Sequence, residues 1–86
     1  MNLPPDPEKM NDERAGWADD CIAHFMSTTG CDREDALSDL LCSLMHWCDR
    51  NGKVFGNELD RGSDHYIDET RASTRETSDA EGASYV

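Results

Sequence analysis

Basic residues are scarce in this sequence. Its 86 residues carry eight Lys and Arg against 19 Asp and Glu, a formal net charge of −11. Such a surface repels nucleic acid and anionic membrane and favours basic protein surfaces, which argues against direct DNA or RNA binding. Long apolar runs are missing too, and nothing approaches the roughly 20 residues of a membrane-spanning helix. The opening MNLPPDPEKMNDE has neither a basic nor an apolar region, so it does not read as a signal peptide and a cytoplasmic location is expected. All three prolines fall in the first ten residues. There are four cysteines but no C-x-x-C pair, and in a reducing compartment they read as free thiols. No Ser-His-Asp grouping, Gly-rich phosphate loop or nucleophile elbow occurs. The sequence offers no catalytic apparatus.

What it does have is one well-marked helix, in the stretch DREDALSDLLCSLMHWCDRNG from Asp32 to Gly52. Asp32 is a good N-cap, since its carboxylate can accept from the free N–H groups of the first turn. Glu34 and Asp35 place negative charge where the helix dipole is positive. Leu37, Leu41, Leu44 and Cys48 recur at i, i+4, i+7 and i+11 and are widened by Leu40, Met45 and Trp47, the stripe of a core-facing helix. Asn51-Gly52 supplies the left-handed stop. At 1.5 Å per residue the rod is roughly 27 Å long.

The remaining elements are organised around it. Residues 1–10 are expected to be a flexible lead-in. A first helix over about 12–28, capped by Asn11 or Asp12, carries Trp17, Cys21 and Phe25 every four residues and stops at Gly30. The short loop that follows makes the first two helices antiparallel neighbours. A third helix over about 57–71, capped by Asn57, has sparse apolar positions at Leu59, Gly62, Tyr66 and Ile67. Residues 72–86 lack an apolar period and are expected to be a disordered acidic tail. The expectation is therefore an all-α, small three-helix bundle over 11–71, with Trp17, Phe25, Leu37, Leu40, Leu41, Leu44, Cys48 and Tyr66 as core. So small a domain is marginal alone. Three short helices leave part of the central stripe bare, and a homodimer would close it.

Polar constellations define the candidate sites. Asp35, Asp39, Cys42, His46 and Asp49 line one side of the central helix, opposite its apolar stripe. Asp60, Asp64 and Asp68 form a second ridge on the third. The bland reading is a solvated face; the sharper one is a face for a basic partner. Cys21 with His24, and Cys42 with His46, have helical spacing for zinc ligands, but the two pairs belong to faces of opposite character and no metal site or cofactor is expected. Asp35 and Asp39 could share magnesium.

Two resemblances bear on these residues. Residues 34–69, EDALSDLLCSLMHWCDRNGKVFGNELDRGSDHYIDE, resemble the MazG-type all-α nucleoside triphosphate pyrophosphohydrolases, which implies a magnesium-dependent hydrolase. The chain departs from that family where Asp19-Asp20 stand in place of an E-x-x-E motif, and triphosphate-gripping bases are few. The segment DREDALSDLLCSLMHWCDRNG followed by LDRGSDHYIDE is also similar to small acidic proteins of phages and mobile elements, among them anti-CRISPR and anti-restriction inhibitors. That resemblance implies a non-enzymatic protein that blocks the basic nucleic-acid-binding surface of a defence complex. A third possibility is an antitoxin-like or scaffold subunit. Charge density limits mimicry of a whole duplex: about 16 phosphates fall along roughly 27 Å of DNA, against five acids and two arginines in the central stretch. A local plug of Asp35, Asp39, His46 and Asp49 with Asp60, Asp64 and Asp68 is the expected partner site.

Overall fold

The computed structural model describes residues 2–72. They form three helices, α1 (Asn11–Thr29), α2 (Arg33–Arg50) and α3 (Phe55–Glu69), with no strand among the described residues. The all-α expectation is met. The tail expected over 72–86 lies, but for Ala72, outside the described residues. No described helix is long and apolar enough to cross a membrane.

Helix α2 begins and ends on the groups that its sequence offers. Asp32 Oδ1 accepts from the Asp35 N–H at 3.1 Å, satisfying one of the donors a first turn leaves free. At the other end Gly52 turns left-handed, with φ 70°, and the Lys53 N–H returns to the Cys48 carbonyl at 3.0 Å, the six-residue closure of a Schellman stop. Helix α1 stops in the simpler way. Gly30 has φ 78° and its N–H donates to the Met26 carbonyl at 2.8 Å.

The other two starts differ from expectation. Neither Asn11 nor Asp12 caps α1; the capping position is Met10, which has no side-chain acceptor. The acceptor comes from upstream, as Asp6 Oδ1 takes the N–H groups of Met10 at 3.2 Å and Asn11 at 3.3 Å. Asp6 reaches them because Asp6-Pro7-Glu8-Lys9 is a turn, closed by the Lys9 N–H on the Asp6 carbonyl at 3.1 Å. Asp first and Pro second suit that turn, and part of the supposed lead-in is thus built into the fold. Likewise Asn57 does not cap α3. The helix starts two residues earlier, at Phe55 after Val54, without a side-chain cap.

The helices join end to end. Short loops link α1 to α2 and α2 to α3, and the last turn of α3 meets the first turn of α1. There Asn11 Nδ2 donates to the Glu69 carbonyl at 2.9 Å, and Arg14 Nε lies 3.4 Å from a Glu69 carboxylate oxygen. A 15-residue helix spans about 22 Å, so this corner stands far from the end of α2 and the first two helices cannot lie alongside each other throughout. Burial along α2 records the divergence. Ala36, Leu40 and Trp47 lie on one side of the helix, and exposure rises from 1% at Ala36 through half-buried Leu40 to 54% at Trp47. The molecule measures 46 × 30 × 18 Å with a radius of gyration of 15.8 Å, against about 12 Å for a compact chain of this length.

The expected core is accordingly corrected. Among the described residues only Ala36 and Cys48 are buried; Leu40 and Phe25 are half-buried, together with Ile22, Met26, Phe55 and Ile67. Leu37, Leu41, Leu44, Trp17 and Tyr66 are exposed. Periodicity located the apolar faces, but an open arrangement leaves them without cover. In α1 the covered side is the one bearing Ile22, Phe25 and Met26, rather than the side bearing Trp17 and Cys21.

Candidate interaction surfaces

The α2 helix turns 100° per residue, which gathers Asp35, Asp39, Cys42, His46 and Asp49 on one side. All five are exposed. The Asp35 carboxyl titrates above its ordinary value. The largest cause is repulsion from Asp32, followed by partial loss of hydration, repulsion from Asp39 and a hydrogen bond with Asp32. Three carboxylates therefore crowd the start of α2. Among the described residues no cation lies within ion-pair distance of Asp35, Asp39 or Asp49.

The α3 ridge is less uniform than its spacing suggests. Asp60, Asp64 and Asp68 are all exposed, but Asp68 Oδ1 lies 3.2 Å from Arg71 Nη2. Arg61 pairs with Glu58 at 3.3 Å instead of with the ridge. Among the described residues Asp60 and Asp64 have no cation within ion-pair distance, whereas Asp68 has Arg71. Asp60 and Asp64 edge a shallow depression on α3 floored by Leu59, Gly62, Tyr66 and Ile67.

Bases are occupied where a cleft does form. Between the N-terminal segment, the start of α1 and the end of α3 lies a hollow lined by Leu3, Pro4, Arg14, Tyr66 and Glu69. Arg14 bonds Glu8 at 2.8 Å and Asn11 Oδ1 at 2.7 Å and faces Glu69. Its guanidinium is held above its usual pKa, first by the Glu8 hydrogen bond, with desolvation opposing and the Glu69, Glu8 and Asp6 charges adding. A guanidinium committed to two carboxylates is a structural tie rather than a phosphate grip.

Metal-ligating residues stay apart. Cys21 and His24 on α1, and Cys42 and His46 on α2, are exposed on separate helices. Among the described residues no three His, Cys, Asp or Glu side chains gather as a set that could hold a metal ion.

The face that sequence reasoning assigned elsewhere is apolar. Leu37, Leu41, Leu44, Met45 and Trp47 follow one another along α2, each between 40% and 58% exposed. Periodicity assigns Leu37, Leu41 and Leu44 to the core, in a stripe that three short helices leave partly bare. The available signal was the width of the stripe beside the poverty of α3, which has too few apolar side chains to cover it. Helix α2 therefore presents an acidic face and an apolar face, both open to solvent. The chain matches no family model, no curated protein and no solved structure, so its function has to be read from these two faces.

Proposed function

We propose that this protein is a non-enzymatic binding protein. It inhibits a nucleic-acid-processing complex of the defence, CRISPR-like kind by occupying the basic surface on which that complex holds nucleic acid. The observation that carries this reading is the set of exposed acids that have no counter-ion among the described residues: Asp35, Asp39 and Asp49 on α2, and Asp60 and Asp64 on α3. The raised pKa of Asp35 marks the charge as concentrated rather than spread. Lys/Arg channels that bind phosphate attract such a surface at long range, and close charge pairs then hold it. His46 lies on the same face and contributes a polar contact.

The test is capture and competition. Immobilised full-length protein should retain a nucleic-acid-binding complex from a bacterial lysate at low salt and release it to added duplex DNA or high salt. Asp35→Lys, Asp39→Lys and Asp64→Lys together should abolish retention while the helical circular dichroism stays. Retention by that variant would end the proposal.

A second reading rests on a different observation. The bare stripe from Leu37 to Trp47 suits an antitoxin-like or scaffold subunit that receives a partner helix. Apolar docking of that kind survives high salt, where charge plugging weakens.

A further inference from the structure

Where the N-terminal segment passes the corner between α1 and α3, it borders a hollow of about 390 Å³. That volume falls within the roughly 300–1,000 Å³ of small-molecule sites. Leu3 and Pro4 come from the segment, Ala15 from α1 and Tyr66 from α3, and the wall they make is mostly apolar.

The polar groups in that wall are one-sided. Asp6, Asp12 and Glu69 stand against a single base, Arg14. The side-chain donors of Arg14, Asn11 and Thr70 are turned onto the protein itself. Arg14 Nη1 bonds Asn11 Oδ1 and Nη2 bonds Glu8, while Nε faces Glu69. Asn11 Nδ2 donates to the Glu69 carbonyl, and the Thr70 hydroxyl donates to the Tyr66 carbonyl. Asp12, by contrast, is exposed and has no cation within ion-pair distance among the described residues. A ligand entering the hollow therefore meets acceptors and negative charge beside apolar surface. Such a wall disfavours carboxylates and phosphates, and an organic cation satisfies both halves of it. An ammonium group can donate to Asp12 while the body that carries it covers Leu3, Pro4 and Ala15. The ring of Tyr66, 58% exposed, adds attraction for a cation over its face.

We propose that this hollow binds a small organic amine, a protonated ammonium group on a compact aromatic or aliphatic body. The ligand touches the N-terminal segment, α1 and the end of α3 together, so it ties residues 3–15 to residues 66–70. Binding stabilises the corner that Asn11 and Arg14 make with Glu69, and Tm rises with ligand concentration. None of Asp35, Asp39, Asp49, Asp60 or Asp64 lines the hollow, so this site and capture of a basic complex fail separately.

Titration of the full chain with phenethylammonium, followed by amide chemical shifts, tests the assignment. Phenylacetate matches its body with the opposite charge, and methylammonium matches its charge without the body. The expected result is saturation with a Kd of about 1 mM or below, reasonable for so few atoms, with shifts confined to residues around the hollow. Each control should bind at least about tenfold more weakly. Asp12→Asn should weaken the amine about twofold to fivefold, the size of an exposed ion pair, and Asp12→Glu should restore it. Asp49→Asn, on the acidic face of α2, should change nothing. These positions are exposed, and circular dichroism of each variant checks that the helices are kept. No saturation by about 10 mM overturns the proposal. So does equal binding of either control, a shift pattern centred on the acidic face of α2, or an Asp12→Asn variant that binds as the parent does.

Discussion

The two faces of α2 are both open to solvent, yet they stand differently towards water. The acidic face is at home there: Asp35, Asp39 and Asp49 are hydrated and gain nothing by being covered unless a cation does the covering. The apolar face, with Leu37 at 58% exposure and Trp47 at 54%, holds stabilisation that the single chain does not realise. Exposure alone therefore does not identify a binding surface. What a face would gain by being covered decides what kind of partner it fits, and here one helix fits two kinds.

The largest effect expected from separating the faces comes from the apolar one. Leu41→Asp with Leu44→Asp should abolish salt-resistant uptake of a partner helix on this face, followed by sedimentation with a candidate partner. Charge reversal at Asp35, Asp39 and Asp64 should leave Tm within a few degrees. It should also lower affinity for a captured basic complex by at least about 100-fold, of the order expected for several close charge pairs; calorimetric titration measures it. A smaller change is expected where neither face is touched. Asp6→Ala removes the acceptor for the Met10 and Asn11 N–H groups and should cost about 1 kcal/mol, a fall of about 4–8 °C for a domain of this size.

The smallest effect sharpens the acidic side. Asp35 has its folded-state pKa raised above the ordinary value, chiefly by Asp32. Its protonated form is therefore favoured by folding, so its contribution to stability is present in acid and is lost as pH rises through the raised pKa. Asp35→Asn should accordingly raise Tm slightly at pH 7 and make no difference once the carboxyl is protonated. Melts at both pH values check this, and destabilisation at pH 7 would show that attraction to the helix dipole outweighs repulsion from Asp32 and Asp39.

Sequence reading succeeded where the determinant lies within a turn of chain. Asp32, Gly30 and the Asn51-Gly52 pair set helix ends through bonds spanning three to five residues, and each does what its chemistry dictates. It failed where the partner is farther off. The α1 cap comes from Asp6 because a proline turn brings that carboxylate back, and residues 1–10 read by composition alone hide this. Helix α3 begins at Phe55, ahead of the Asn57 that propensity favours. The apolar pattern of α2 was legible in full; which of its residues are covered was not. Cover depends on how far α1 diverges, and the Asn11 and Arg14 contacts with Glu69 that close this corner join residues more than 50 apart in sequence. The acidic residues were legible as ridges, but the Arg71 contact that partly neutralises Asp68 was not singled out.

The claim that matters most is that charge on α2 and α3 selects a basic, nucleic-acid-binding target. The most direct measurement is release of the lysate-captured complex from immobilised protein by duplex DNA across a salt series. DNA should displace the complex at low salt, high salt alone should release it, and the Asp35, Asp39 and Asp64 reversal should capture nothing. A complex that resists both DNA and salt, and that the reversal variant still holds, would contradict it and assign binding to the apolar face instead.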